Sequence, residues 1–353
     1  MSADKIVELV AGIGIVLAIV YDIFSSVVVP RSVSRLFRLS AFLNREGWRF
    51  FRRVGLGMDS DRRENWLGTF GPLMIVTLLF VWLVSLNSGY ALIFYGLRDH
   101  IHPPLGSFHE AFYFSGSSLL TIGYGDFVPM DIPARYTALL AGSTGLSVFA
   151  LIISYLFSTF ASFQQREIFV VMMGARAGSP ASGVMLLETA AKSGIMDDLA
   201  QSFRECERWT ATVLESHLAY PILAFFRSSH DDESWIGTLG AFLDAATLIM
   251  LASDHPLAGK ARLMHEIGVH LVRDLSRYFG LQHAEGAGLH RSEFTQACAQ
   301  LATAGIRIRD EDQSWQQFVK LRTEYAGPLN VLAGFWEIPP ARWIGDRSIV
   351  RRH

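Results

Sequence analysis

The chain has 353 residues, half of them apolar and only 18% charged, with a net charge of −2. That is too apolar for an ordinary soluble protein and too charged to lie in a membrane throughout, so a membrane part followed by a soluble part is expected. The charge balance gives no basis for a nucleic-acid partner, and the two cysteines, Cys206 and Cys298, lack metal-ligand spacing and fit free thiols in a reducing compartment.

Ile6 to Val29 is a mainly apolar run of 24 residues interrupted by Asp22. At 1.5 Å per residue it extends about 36 Å, enough to cross a bilayer core with some tilt. A signal peptide is the competing reading, but the run is too long, Met1 to Lys5 is not clearly basic and no small-residue cleavage pattern follows. Asp22 is read as an intramembrane charge near one interface, paired with Arg31 or Arg35. No arginine row at three-residue spacing makes this helix a voltage sensor.

From Pro30 to Leu67 nine arginines face four acidic residues. The positive-inside bias puts this loop in the cytoplasm and the N-terminus outside. Leu36, Phe37, Leu39, Phe42, Leu43, Trp48, Phe50 and Phe51 interleave with the arginines, which predicts a helix lying in the inner interface on anionic lipid.

Gly68 to Leu97 is thirty residues without a charge, and so is Tyr136 to Gln165. Both are expected to span, the second ending near Phe163, with Arg98 to Pro104 as an extracellular turret between them. The turret's His100 and His102, with His109 beyond, are read as surface residues in preference to a metal site. Between the two runs lies Ser107 to Ser115, a short amphiphilic helix opened by a capping box of Ser107 and Glu110. It leads into Thr121-Ile122-Gly123-Tyr124-Gly125-Asp126. A short helix, a Gly-x-Gly turn and a spanning helix make a re-entrant loop, and non-helical backbone at membrane depth must line a polar path or be buried in protein.

A cation crosses a membrane only where something replaces its water shell, and rings of backbone carbonyls from several chains do that. For successive carbonyls to point one way, alternate residues need dihedrals that L-residues resist, and Gly123 and Gly125 supply them. Thr121 adds a hydroxyl at the inner mouth. Tyr124 is expected to turn outward and brace against the short helix at Tyr113 and Phe114. That helix aims its negative C-terminal end at the path.

These features carry a resemblance. Residues 68 to 163 resemble the two-helix pore module of the potassium channel superfamily, and Thr121 to Asp126 match its filter motif at every position. The resemblance implies that the carbonyls of Thr121, Ile122, Gly123 and Tyr124, with Gly125 beside them and the Thr121 hydroxyl, bind K+. It implies that Asp126 hydrogen-bonds behind the filter, and that one filter copy per chain makes a homotetramer. Leu119-Leu120 precede Thr121 where the family often has Thr, and Ser117 stands behind the filter where relatives carry a carboxylate or an apolar residue. Gly145 lies twenty residues past Gly125, like the hinge glycine of related inner helices, whereas Gly142 reads better as a packing glycine. Phe149, Ile153, Phe157 and Ala161 recur at i+4, and Phe157 with Ala161 are the gate candidates.

After Gln164 the chain reads as all-helical: near 184–193, 196–226 interrupted at Pro221, 234–253, 258–279, 292–304 and 310–325. Gly174 to Gly183 is the linker candidate. Trp235 to Ala252 is nearly uncharged, but Asp244 at its middle favours a core or subunit-contact helix over a fourth span. Neither Gly174–Gly183 nor Gly286-Ala287-Gly288 has dinucleotide-binding spacing. His265 and His270 are five apart, about 140° around a helix, which rejects a shared metal.

The expected protein is therefore an all-α membrane protein. Residues 1–30 form an N-terminal span, 31–67 a basic interfacial linker, 68–165 the pore domain, 166–183 a linker and 184–353 a helical cytoplasmic domain. The expected function is a K+-selective channel in the plasma membrane, not an enzyme, with no organic cofactor and no identifiable regulatory ligand. The alternatives are a weakly selective cation channel or a non-conducting scaffold.

Overall fold

A computed structural model describes residues 2–29, 39–228, 233–252, 255–282, 286, 288–308, 311–338, 341 and 343. It divides into two compact units, residues 1–160 and 161–353.

The helices α1 (Ala3–Val27) and α4 (Phe70–Gly96) of the first unit, and the long α6 (Ile132–Ala177), whose residues after Phe160 belong to the second, are long and apolar enough to cross a membrane. α1 runs antiparallel along α4. Its first residues pair with the far end of α4 through Lys5 with Asp99 and Arg98 with Glu8 at 2.6 Å, and its later residues reach back to Trp82. Glu8 is thus a second acidic residue in the run from Ile6 to Val29, and it pairs with Arg98. Gly12 and Gly89 let the two backbones meet, since a Cβ at Gly12 would lie 2.6 Å from the Gly89 carbonyl oxygen. Small residues at such crossings permit the van der Waals contact that holds helices together in lipid.

The basic stretch forms α2 (Leu39–Gly55) and α3 (Ser60–Gly68). α2 puts Trp48 and Phe51 against Phe70, and Phe51 also stacks on Trp66 at 4.4 Å, while Phe50 stays 60% exposed beside the arginines. This is the two-faced pattern of an interfacial helix. Arg49 and Arg45 hydrogen-bond Glu46 and hold its carboxyl below the usual range, by the Arg49 bond first.

α5 (Phe108–Leu119) is the short helix before the Gly-x-Gly turn. The Ser107 hydroxyl caps it by accepting from the Glu110 N–H at 3.4 Å, but the Glu110 carboxylate reaches back to Gly106 N–H at 2.6 Å, one residue short of a true capping box. Two short strands, β1 (Ile101–His102) and β2 (Val128–Pro129), pair antiparallel and tie the chain before α5 to the chain after the turn. The unit's core joins Trp82, Leu86 and Phe94 of α4 to Phe114 and Leu119 of α5.

The second unit surrounds α9 (Trp235–Leu251) with α7 (Gly183–Lys192), α8 (Met196–Ala219), α10 (Ala258–Tyr278), α12 (Glu311–Thr323) and α13 (Ala326–Phe335), with α11 (Arg291–Thr303) against α7 and α12. Every residue of α9 but Met250 is buried, which is why its sequence is apolar all round. Asp244, at its middle, accepts from Arg322 Nε at 2.9 Å and from the Tyr325 hydroxyl at 2.6 Å. Burial pushes Tyr325 well above the ordinary phenol range, which keeps it a donor.

Several boundaries differ from expectation. The stretch 166–183, read as a linker, is helical to Ala177 and then turns into the Ser182 cap of α7, because Phe169, Val170 and Met173 bury a face in this unit. Pro221 ends α8 in a 3-10 turn, as its missing N–H predicts. α13 was not expected: its ten residues contain two glycines and a proline, and Pro328 sits in the first turn, where a helix tolerates it.

Candidate functional site: a re-entrant loop

The turn after α5 is held from below by backbone. The Ser117 carbonyl accepts from Ile122 N–H at 2.8 Å and Gly123 N–H at 3.4 Å, and Ser118 accepts from Thr121 N–H at 3.1 Å. The last carbonyls of α5, which a helix leaves unpaired, are thereby satisfied by the turn itself. Ser117 is buried, and what it offers the loop is its main chain.

From there the backbone alternates. Thr121, Gly123 and Gly125 have φ of 56°, 63° and 82°, while Ile122 and Tyr124 between them stay in ordinary regions. For Thr121 the left-handed conformation is strained, of order 1–3 kcal/mol for a non-glycine residue, and such strain gathers at functional sites. Glycine carries no such cost at the other two. All six residues Thr121 to Asp126 are exposed in the single chain.

Side chains brace the loop from one side. The Tyr124 ring stacks parallel to Tyr113 at 6.3 Å, and the Tyr113 hydroxyl hydrogen-bonds the Asp126 carboxylate. Phe114 packs on Phe94 at 4.6 Å and on Phe127 at 6.2 Å, which places it behind α5 and not against Tyr124. Asn87, a lone amide in the charge-free run of α4, fastens α5: its side-chain Nδ2 donates to the Phe112 carbonyl at 3.2 Å and its main-chain carbonyl accepts from the Ser115 hydroxyl at 3.0 Å. Its signal in the sequence was its polarity inside an apolar span. Tyr90 ties α4 to α6 through Thr144 at 2.7 Å.

The two inner-helix glycines carry different constraints. A Cβ at Gly145 would lie 1.8 Å from the Leu119 carbonyl oxygen, whereas one at Gly142 would lie 3.4 Å from the Ser118 oxygen. Gly145 is thus where α6 and the end of α5 touch, a packing reason for glycine at the position expected to hinge. Phe149, Ile153 and Phe157 are 47%, 50% and 74% exposed, and Ala161 is exposed too. Among the described residues nothing buries this stripe.

Arg31 and Arg35, the expected partners of Asp22, lie outside the described residues. Its carboxylate, 3% exposed, instead accepts from Trp82 Nε1 at 2.7 Å and from Ser40 through both its N–H at 3.2 Å and its hydroxyl at 3.1 Å. It joins α1, α2 and α4. The turret's His100 and His102 and the α5 residue His109 are all exposed, and His100 contacts Asp131. Among the described residues no three His, Cys, Asp or Glu side chains gather as a metal site.

Residues 74–162 match a family model described as an ion channel. The chain is also 24% identical over 217 residues to an uncharacterized membrane protein, YdjJ, of Bacillus subtilis, covering 60% of this chain and 59% of that one. It is 30% identical over 127 residues to the inward rectifier potassium channel Kirbac3.1 of Paramagnetospirillum magnetotacticum, covering 35% of this chain and 43% of that one. The matches thus span less than two thirds of either relative. No solved structure matches the chain significantly. The family match falls on the same segment as the helix–loop–helix geometry, and residues 74–162 form an ion-channel module.

Proposed function

We propose that the chain is one subunit of a K+-selective channel. The observation that carries this is the alternation of left-handed φ at Thr121, Gly123 and Gly125 in an exposed loop braced by Tyr113. That alternation suits a file of carbonyls facing one side, and a ring of such files replaces the hydration shell of K+. One chain supplies only one file, so four copies surround the axis. Carbonyls of Thr121 to Tyr124 and the Thr121 hydroxyl hold the ion, and Asp126 with Tyr113 stiffens the loop from behind.

The arginines of the basic stretch orient the protein in the plasma membrane, with the N-terminus outside and the second unit in the cytoplasm. α2, with Arg45, Arg49, Arg52 and Arg53, rests on anionic lipid at the inner surface. Phe157 and Ala161 close the inner end of the path, and Gly145 sets the approach of α6 to the filter.

Reversal potentials of the purified protein in bilayers with unequal K+ and Na+ test this reading. The expected reversal lies near the K+ equilibrium potential; reversal near zero would make it a weakly selective cation channel, and absence of current under every condition a scaffold. Gly123→Ala forces a side chain into φ of 63°, and the K+ to Na+ permeability ratio is expected to fall at least about tenfold, the equivalent of 1.4 kcal/mol. An unchanged ratio would sink the filter assignment.

A further inference from the structure

The last part of α6, from Ala161 onward, has its charges inside and its apolar residues outside. Between Ala161 and Ala175 the charged residues are Arg166 and Glu167, and they are only 2% and 8% exposed. Arg166 donates to the carbonyls of Leu223 at 2.9 Å and Phe226 at 2.7 Å and to Glu167 at 2.9 Å, while Glu167 accepts from the Ser228 hydroxyl at 2.5 Å. Phe169, Val170 and Met173 are buried on the same side.

The opposite face is uncharged. Ile168, Val171 and Met172 are 60%, 43% and 50% exposed, and Ala161, Gln164, Gln165 and Ala175 are exposed beside them. A helix face left to water carries charges, and a helix apolar on both sides is a covered one. Lipid is a poor cover here. From Ile132 to Phe160 the helix already rises roughly 40 Å, more than the ~30 Å of a bilayer core.

The spacing names the cover. Ala161, Ile168 and Ala175 recur every seven residues, with Val171 and Met172 between the second and third, the seam of a helix that packs along a parallel neighbour. We propose that this face is an interface between copies of this chain, in which the Ala161–Ala175 stretches of α6 from neighbouring subunits pack as a short parallel coiled coil of about two heptads. The proposal rests on the reading of the chain as a subunit of a multi-chain pore. α6 also carries the Phe149–Phe157 stripe, and copies arranged round an axis through that stripe run in the same direction. Alanines at both ends of the seam let the backbones approach, and Ile168 is the central knob. The charges turned inward by Arg166 and Glu167 leave the seam uncharged, with Gln164 and Gln165 as its polar members.

Disulfide trapping in membranes of the full chain tests this. Ile168→Cys, Phe157→Cys and Lys192→Cys are each made in a Cys298→Ser background that keeps the buried Cys206, then oxidised with copper phenanthroline. Lys192, exposed on α7, reports random collision. The expected result is a covalent dimer from Ile168→Cys forming at least about tenfold faster than from Lys192→Cys, together with a dimer from Phe157→Cys. If Phe157→Cys cross-links and Ile168→Cys behaves like Lys192→Cys, the pore assembles and the seam is refuted. If neither cross-links and the native mass of the purified protein is that of one chain, the multi-chain reading itself fails and takes the seam with it. A nitroxide on Ile168→Cys that relaxes with lipid-dissolved oxygen would assign the face to lipid and also overturn the proposal.

Discussion

In the unit that ends at Phe160, the polar groups of interest are main-chain and exposed: Thr121 to Asp126 lie open, in conformations that alternate in hand. In the unit that follows, the polar groups of interest are charged and enclosed: Asp244 and Arg322 are 1% and 0% exposed, and Arg166 with Glu167 is nearly as deep. The first arrangement leaves bonding capacity for something outside the chain. The second spends it within the chain, where removing one partner strands the other. The difference separates residues whose loss should alter transport from residues whose loss should alter folding.

The sharpest way to break that comparison is Asp244→Ala. It removes the carboxylate that balances the buried Arg322 guanidinium, leaving that charge with the Trp343 carbonyl, and the expected loss is about 3–5 kcal/mol of stability, read as a large fall in the thermal midpoint of the detergent-solubilised protein. The joint replacement Asp244→Leu with Arg322→Met should recover most of it, since an apolar pair of similar volume lacks the desolvation cost. If the double variant is as unstable as the single one, the pair does more than satisfy itself.

Gly145→Ala tests the first unit in the same terms. With the Leu119 carbonyl 1.8 Å from the new Cβ, the end of α5 must move, at a cost of up to about 3 kcal/mol. Because the loop Thr121–Asp126 follows directly, the proposed channel's single-channel currents should become unstable as well. Gly142→Ala, with 3.4 Å available, should be mild by comparison. Equal effects would remove the distinction between the two glycines.

The smallest expected effect concerns His217. Its Nδ1–H faces the Val213 carbonyl at 2.8 Å and its Nε2 faces Arg166 Nη1 at 3.3 Å, so the neutral ring donates to one and accepts from the other. Burial, and then the Arg166 charge, lower its pKa to about 3. In the unfolded chain it titrates near 6.5, so below that pH the unfolded state binds a proton that the folded state refuses. Stability is therefore present above about pH 6.5 and is lost as pH falls from there toward 3. Between pH 7 and 5 the unaltered protein should lose about 2 kcal/mol more than His217→Gln, by denaturation at each pH. Parallel pH profiles would mean that the ring is not held neutral.

Much of this protein is local in origin and so legible in the chain. The three spanning helices follow from long apolar runs, because burying a helix in lipid requires only apolar residues along its length. The loop Thr121–Asp126 declares itself because glycine at alternate positions answers a dihedral demand within six residues. α9 was legible as a core helix from one aspartate in an apolar run. Other features depend on which segments meet. The partners of Asp22 are Trp82, sixty residues away, and Ser40, and nothing at Asp22 itself announces either. The role of Ser117 was hidden because its carbonyl, not its hydroxyl, meets the loop. That Gly145 touches Leu119, and that α6 runs on to Ala177, are likewise decided by packing. Sequence alone determined which segments are long and apolar enough to cross a membrane and which backbone can take left-handed dihedrals. Tertiary structure decided which face of each helix is covered, because burial belongs to pairs of segments and not to either one.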